Sequence, residues 1–203
     1  MKTCCFLFVL SVLFASRLYG QDDKTFKPYI VLGVNTSQIE GDGMKGYTKF
    51  GGNGGVGVYF KIKPNWSIST EILYNMKGAS GTPRDDNGNF TPVSYAKIVM
   101  DYAEVPIFIS YHDKKVAMFG VGVSIGGLAR TDFTYEDNTG SNNKDPLFFD
   151  IYRKYDLSGL INVTFKIKKH FGFNLRGSYS IIPISSKNNQ VHNCLSLRGM
   201  YFF

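Results

Sequence analysis

The chain has 203 residues, 43% of them hydrophobic, with 22 Gly, 13 Tyr, 17 Phe and a formal net charge of +7. That length holds one domain, and the excess of Gly, Tyr and Phe favours strands and turns over helices. Beyond the N-terminus no apolar run is long enough for a transmembrane helix, and so modest a positive charge does not call for nucleic acid.

The chain opens "MKTCCFLFVLSVLFASRLYGQ". Lys2 begins it, Cys4 to Ala15 form an apolar stretch too short to span a bilayer, and Gly20 precedes Gln21. This is the layout of a cleaved signal peptide over 1–20, with one domain over 21–203. Its removal takes Lys2 and Arg17 away and lowers the net charge to +5. Cys4 and Cys5 leave with it, so Cys194 stands alone and no intrachain disulfide is expected. Small secreted eukaryotic domains lean on disulfides; an exported chain without one points to a bacterial envelope.

Eight strand-like runs follow: Tyr29 to Thr36, Gly54 to Lys63, Trp66 to Lys77, Lys97 to Tyr111, Val116 to Leu128, Tyr155 to Lys168, Phe171 to Ile182 and Val191 to Phe203. Several reach about ten residues, the length a tilted strand needs to cross a bilayer. Period-two alternation runs through them. In "GVGVYFKIK", Val56, Val58, Phe60 and Ile62 oppose Gly57, Tyr59, Lys61 and Lys63. In "FGVGVSIGG", Phe119, Val121, Val123 and Ile125 oppose Gly120, Gly122, Ser124 and Gly126. In the final run, Leu195, Leu197, Tyr201 and Phe203 oppose Cys194, Ser196, Arg198 and Met200.

Connections alternate too. "KPNW", "HDKK" and "KKHFG" are tight, whereas the segments after the odd-numbered runs are long and polar. Short turns at one end and long loops at the other mark an outer-membrane barrel. Lysines gather at the turn end (Lys61, Lys63, Lys114, Lys115, Lys166, Lys168, Lys169). Acids gather in the loops (Glu40, Asp42, Asp85, Asp86, Glu136, Asp137, Asp145).

Alternation alone does not say which face is inside. Size does: an eight-strand lumen is narrow, and the polar parity is rich in Gly and Ser. It also carries Glu71, Glu104, Arg176 and Arg198, which are expected to pair as a lumenal polar network, since arginine forks suit carboxylates. The bulky parity then faces lipid. Aromatics near the turn end (Tyr59, Phe60, Trp66, Tyr111, Phe165, Phe171, Tyr201, Phe202, Phe203) read as an interfacial girdle.

The elements "GVNTS", "TEILYNMKGA", "DYAEVPIFISYH" and "FGVGVSIGG" give the chain a resemblance to the small outer-membrane barrels of Bacteroidota, the PorT-like family. Tyr102, Glu104, Val105 and Pro106 form its most specific part. The resemblance implies an outer-membrane barrel and little about activity; one branch of the family works in secretion. The C-terminal strand is similar to those of other outer-membrane barrels, which implies that Tyr201 and Phe203 serve closure and recognition by the assembly machinery.

Other motifs are weaker. "GNGGVG" (Gly52 to Gly57) is followed by a strand, where a dinucleotide site needs a helix. Alternation runs straight through Ser124 of "GVSIG", where a nucleophile elbow needs a strand-to-helix turn. "DDNGN" and "EDNTGSNNKD" lack a full calcium loop. The sequence therefore reads as an all-β, single up-and-down antiparallel transmembrane β-barrel of about eight strands, non-enzymatic and without cofactor or metal. Expected partners are outer-membrane lipids and lipopolysaccharide, the barrel assembly machinery, and envelope or secretion proteins. Two alternatives stand beside it. One is a soluble periplasmic lipocalin-like barrel binding a small apolar ligand; the other is an outer-membrane lipid-modifying enzyme using His192 near Ser185 or Ser186.

Overall fold

The computed structural model describes residues 26–44, 46–85, 89, 91–113, 116–137, 140–144, 152–185 and 189–203. The leader read at 1–20 lies outside the described residues, as do Asp86, Lys114, Lys115, Asp145 and Ser186. The strands are β1 (Lys27–Glu40), β2 (Lys49–Lys63), β3 (Trp66–Gly81), β4 (Val93–Asp113), β5 (Ala117–Asp137), the short β6 (Asn142–Lys144), β7 (Tyr155–Lys166), β8 (Phe171–Ser180) and β9 (Val191–Phe202). All pairings are antiparallel, each long strand joins the next, and β1 pairs with β9 from Tyr29↔Phe202 to Glu40↔Val191. The eight long strands thus form a closed ring, with β6 added to β5 in a loop.

Closure is what a strand in hydrocarbon requires, because no water is there to satisfy an open edge. The alternation fixes which way the ring faces. Val56, Ile72, Ile107, Val121, Ile161, Leu175 and Leu197 point outward and are exposed, while Ser69, Asn162, Asn174, Ser196 and Arg198 point inward and are buried. A lipocalin-like barrel inverts this arrangement and is excluded. The girdle is present on the outer face: Trp66 packs edge-on against its cross-strand partner Tyr111 at 5.3 Å, and Tyr201 against both Phe171 and Phe203 at 5.2 Å. Tyr59 and Phe202 depart from it. Both are buried in the lumen, because their parity, not their aromatic character, sets their face.

The first five long strands, β1 to β5, run beyond the expected bounds, most of them at the long-loop end. β4 and β5 each run for 21 residues and pair as far as Val93↔Asp137. "ARTDFTYED", read as loop, is strand because β4 supplies a partner along its length. About ten residues suffice to cross the bilayer, so this hairpin exceeds that length, and β3 follows it as far as Gly81↔Ala96. β7 and β8 stop slightly short of the expected ends, at Lys166 and Ser180.

Where β3 meets this tall hairpin, Gly78 has φ +140°, and a Cβ there would sit 2.0 Å from the Ile98 carbonyl oxygen. Gly78→Ala is expected to cost about 1–3 kcal/mol. Gly127→Ala, where the nearest atom to a new Cβ is 4.0 Å away, is expected to cost less than about 0.5 kcal/mol. Urea unfolding of the barrel in lipid vesicles measures both; equal midpoints would contradict the strain at Gly78.

Candidate functional site

The lumen is filled in layers, and register explains each. Tyr29, Gly57 and Glu71 lie in one cross-strand row over β1, β2 and β3. Gly57 has no side chain, and a Cβ there would come within 2.5 Å of the Tyr29 ring. The ring lies across that gap and its hydroxyl donates to Glu71 Oε1 at 2.7 Å. From the far wall Arg176 grips Glu71 with two bonds, Nη1 to Oε2 at 2.8 Å and Nη2 to Oε1 at 3.0 Å. Arg198 adds Nη1 to Oε2 at 3.2 Å. Asn174, the cross-strand partner of Arg198, accepts from that guanidinium through its Oδ1. The guanidinium of Arg176 also lies 5.0 Å from the Phe108 ring centre.

Nearer the loop end is a second ionic cluster. Lys77 Nζ is 2.6 Å from Glu104 Oε1 and 3.3 Å from Asp156 Oδ2. Asn75 donates to Glu104 Oε2 at 3.1 Å and Ser158 to Asp156 Oδ2 at 2.8 Å. So Glu71, Arg176 and Arg198 come together, whereas Glu104 sits with Lys77 and not with either arginine. Glu104 stands opposite Leu73, between the heights of Glu71 and Asn75, and its carboxylate turns toward the loop end, to Asn75 and Lys77. One cluster has two cations and one anion and the other the reverse, so their six charges balance.

Lys77, Asp156, Tyr29 and Asn174 are not among the expected site residues. Lys77 shares the parity of Glu71 and was available from alternation. Tyr29 carries no polar signal beyond a hydroxyl on an aromatic that resembles the lipid-facing ones.

Apolar layers close both ends. Tyr59, Met118, Met200 and Phe202 form the floor toward the short turns. Ile39, Ile98, Met100, Tyr102 and Ile184 form the cap toward the loops. A gap of about 10 Å3 lies between the ionic clusters, room for at most about one water. The interior is a plug and not a conduit. His192 is fully buried, its ring 5.5 Å from that of Tyr102 and edge-on to it. It faces the lumen, not the membrane edge, which removes it from the arrangement a lipid-modifying centre needs; Ser185 is likewise buried. Ser124 lies mid-strand between Pro106 and Ser158, and "GNGGVG" lies inside β2. Neither adopts the turn its motif requires. Tyr201 and Phe203 face outward at the seam where β9 meets β1.

A closed ring with an apolar girdled exterior and a charged, filled interior defines a membrane-spanning β-barrel. The chain belongs to the outer membrane protein beta-barrel domain family, whose model matches residues 19–186, and is an integral outer-membrane protein. Among solved structures it is similar to Ail, the attachment invasion locus protein of Yersinia pestis. The identity there is 14%, over 89% of this chain and 99% of that one, with a TM-score of 0.53. It is also similar to Neisserial surface protein A, at 10% identity over 87% and 97% of the two chains and a TM-score of 0.51. At such identities the likeness is one of fold. No curated protein sequence matches the chain.

Glu71 is the single anion facing two buried cations. Glu71→Gln is expected to cost about 3–5 kcal/mol in urea unfolding. Glu71→Gln combined with Arg198→Met is expected to recover part of that loss, because the surplus charge goes with it; a double variant no more stable than the single would contradict the shared-anion arrangement.

At the loop end, burial pushes the Asp42 carboxyl up to about 6, against a hydrogen bond from the Met44 N–H at 2.8 Å that pulls the other way. The folded loop therefore holds its proton more tightly than the unfolded chain. Its stability is full below about pH 4 and is lost as pH rises through about 6, by about 1–3 kcal/mol. Protection of the Met44 amide, taken relative to the intrinsic exchange rate at each pH, should fall over that window, and Asp42→Asn should flatten the dependence.

Proposed function

We propose that this chain is a non-enzymatic envelope barrel of the PorT-like type, made with a cleaved leader at 1–20. Its short turns face the periplasm and its long loops the exterior. The observation that carries this is the pairing of a lipid-facing apolar belt with a lumen plugged at three levels: aromatic floor, ionic middle, apolar cap. A plugged eight-strand barrel conducts nothing bulky, so its work lies at its two ends, in envelope structure, surface interaction or support of secretion. The loop end is built as a surface. The Arg84 N–H donates to the Gly43 carbonyl at 3.1 Å and the Arg153 N–H to that of Ile184 at 2.8 Å, while Gln190 Nε2 donates to the Gly41 carbonyl at 3.1 Å. These bonds tie separate connections into one lid. Lipopolysaccharide and the surrounding lipids contact the belt, and the assembly machinery reads the last strand through Tyr201 and Phe203. Secretion or envelope proteins are the partners of the exposed ends.

Fractionation should recover the protein in the detergent-extracted outer membrane, with gel mobility that changes on boiling. Recovery in the soluble periplasm would overturn the reading. Removing Phe203 is expected to lower the assembled, heat-modifiable fraction several-fold without changing synthesis; an unaltered fraction would remove the assembly role of the terminus.

A further inference from the structure

At the short-turn end the ring opens into a vestibule of about 760 Å3. Its lining carries five lysines, Lys27, Lys61, Lys166, Lys168 and Lys169, against one carboxylate, Asp113. None of the five has an ion pair among the described residues. Lys166 is braced at the floor: Nζ donates to the Tyr59 hydroxyl at 3.1 Å and stands 4.9 Å and 4.7 Å from the ring centres of Tyr59 and Phe202. Lys27 and Lys61 share the parity of Tyr29 and Tyr59, the lumenal one. Concentrated charge, mostly of one sign, in a concavity with low-dielectric walls focuses the field on an incoming anion.

We propose that this vestibule binds an acidic peptide segment of a periplasmic partner. The charge calls for several negative groups at once. The volume lies in the range of sites that take up a ligand of many atoms and far exceeds a single phosphate or carboxylate. Membrane lipids do not fit, because Lys27, Lys61 and Lys166 lie on the lumenal side of the wall while headgroups ring its outside. The compartment of the partner rests on the orientation proposed above; the binding itself does not.

The test uses the full barrel in phosphatidylcholine nanodiscs and a fluorescein-labelled hexaglutamate peptide, followed by anisotropy. Hexaglutamate is expected to bind at least about tenfold tighter than hexaglutamine at low ionic strength and to be released by about 0.5 M salt. The triple variant Lys61→Gln, Lys168→Gln, Lys169→Gln should weaken binding about tenfold. The same three positions changed to Arg should retain it, with heat-modifiable mobility reporting that both variants fold. Equal affinity for the two peptides, an unaltered triple variant, or displacement of the peptide by phosphatidylglycerol placed in the nanodisc would each overturn the proposal. Orientation is read separately: Lys169→Cys should resist an impermeant maleimide in intact cells and react after permeabilisation. Labelling in intact cells would overturn the orientation, and with it the periplasmic identity of the partner, while the nanodisc result reports the vestibule alone.

Discussion

The seam between β1 and β9 is the constraint on which the rest depends. Among the eight long strands every other pairing joins neighbours along the chain; this one joins its two ends, Tyr29 to Phe202 and Glu40 to Val191. Without it, two rows of N–H and C=O groups would lie bare in hydrocarbon, each costing several kcal/mol. With it, the wall has no edge, and inside and outside become distinct. The lumenal residues then have nowhere to go but into one another.

What fills that space is chosen by charge balance and by size. Glycines are spent where a neighbour must cross, as Gly57 is for Tyr29. Arginines are used where one carboxylate must be held from two sides, since a planar fork makes two bonds in one plane. The lysine at position 77 sits between two carboxylates, which its compact ammonium can touch at once. Buried ionic clusters of this kind are costly to break and weak evidence of net stability. Their contribution here is to fix the relative heights of β3, β4, β7, β8 and β9, since Glu71 meets Arg176 and Arg198, and Lys77 meets Glu104 and Asp156, in only one stagger.

Much of this is legible in the sequence. Alternation survives whichever side is the core, so the eight strands and the outward face of Val56, Phe119 and Leu195 can be read directly, and loop length separates the two ends. Three things are not legible. Partner choice among lumenal charges depends on the stagger of the ring, which no single strand contains, and so Glu104 joins Lys77. The facing of a strand-end aromatic is not legible in its composition: only parity separates Tyr59 and Phe202, which share the lumenal face of Gly57 and Arg198, from Phe171 and Tyr201. Residues 129–137 lack the apolar alternation of a membrane strand, and pairing with the long β4, joined by β6 at 134–136, makes them a strand.

The alternation has a consequence for the chain as a whole. Because apolar side chains occupy every second position, the mean hydropathy is only −0.12, and among the described residues no helix is long and apolar enough to cross a membrane. The lipid-facing surface is therefore not carried by a continuous apolar run; it arises where pairing gathers one parity of many strands onto one face of the wall. Membrane character in this chain is a property of the closed ring and of no single strand.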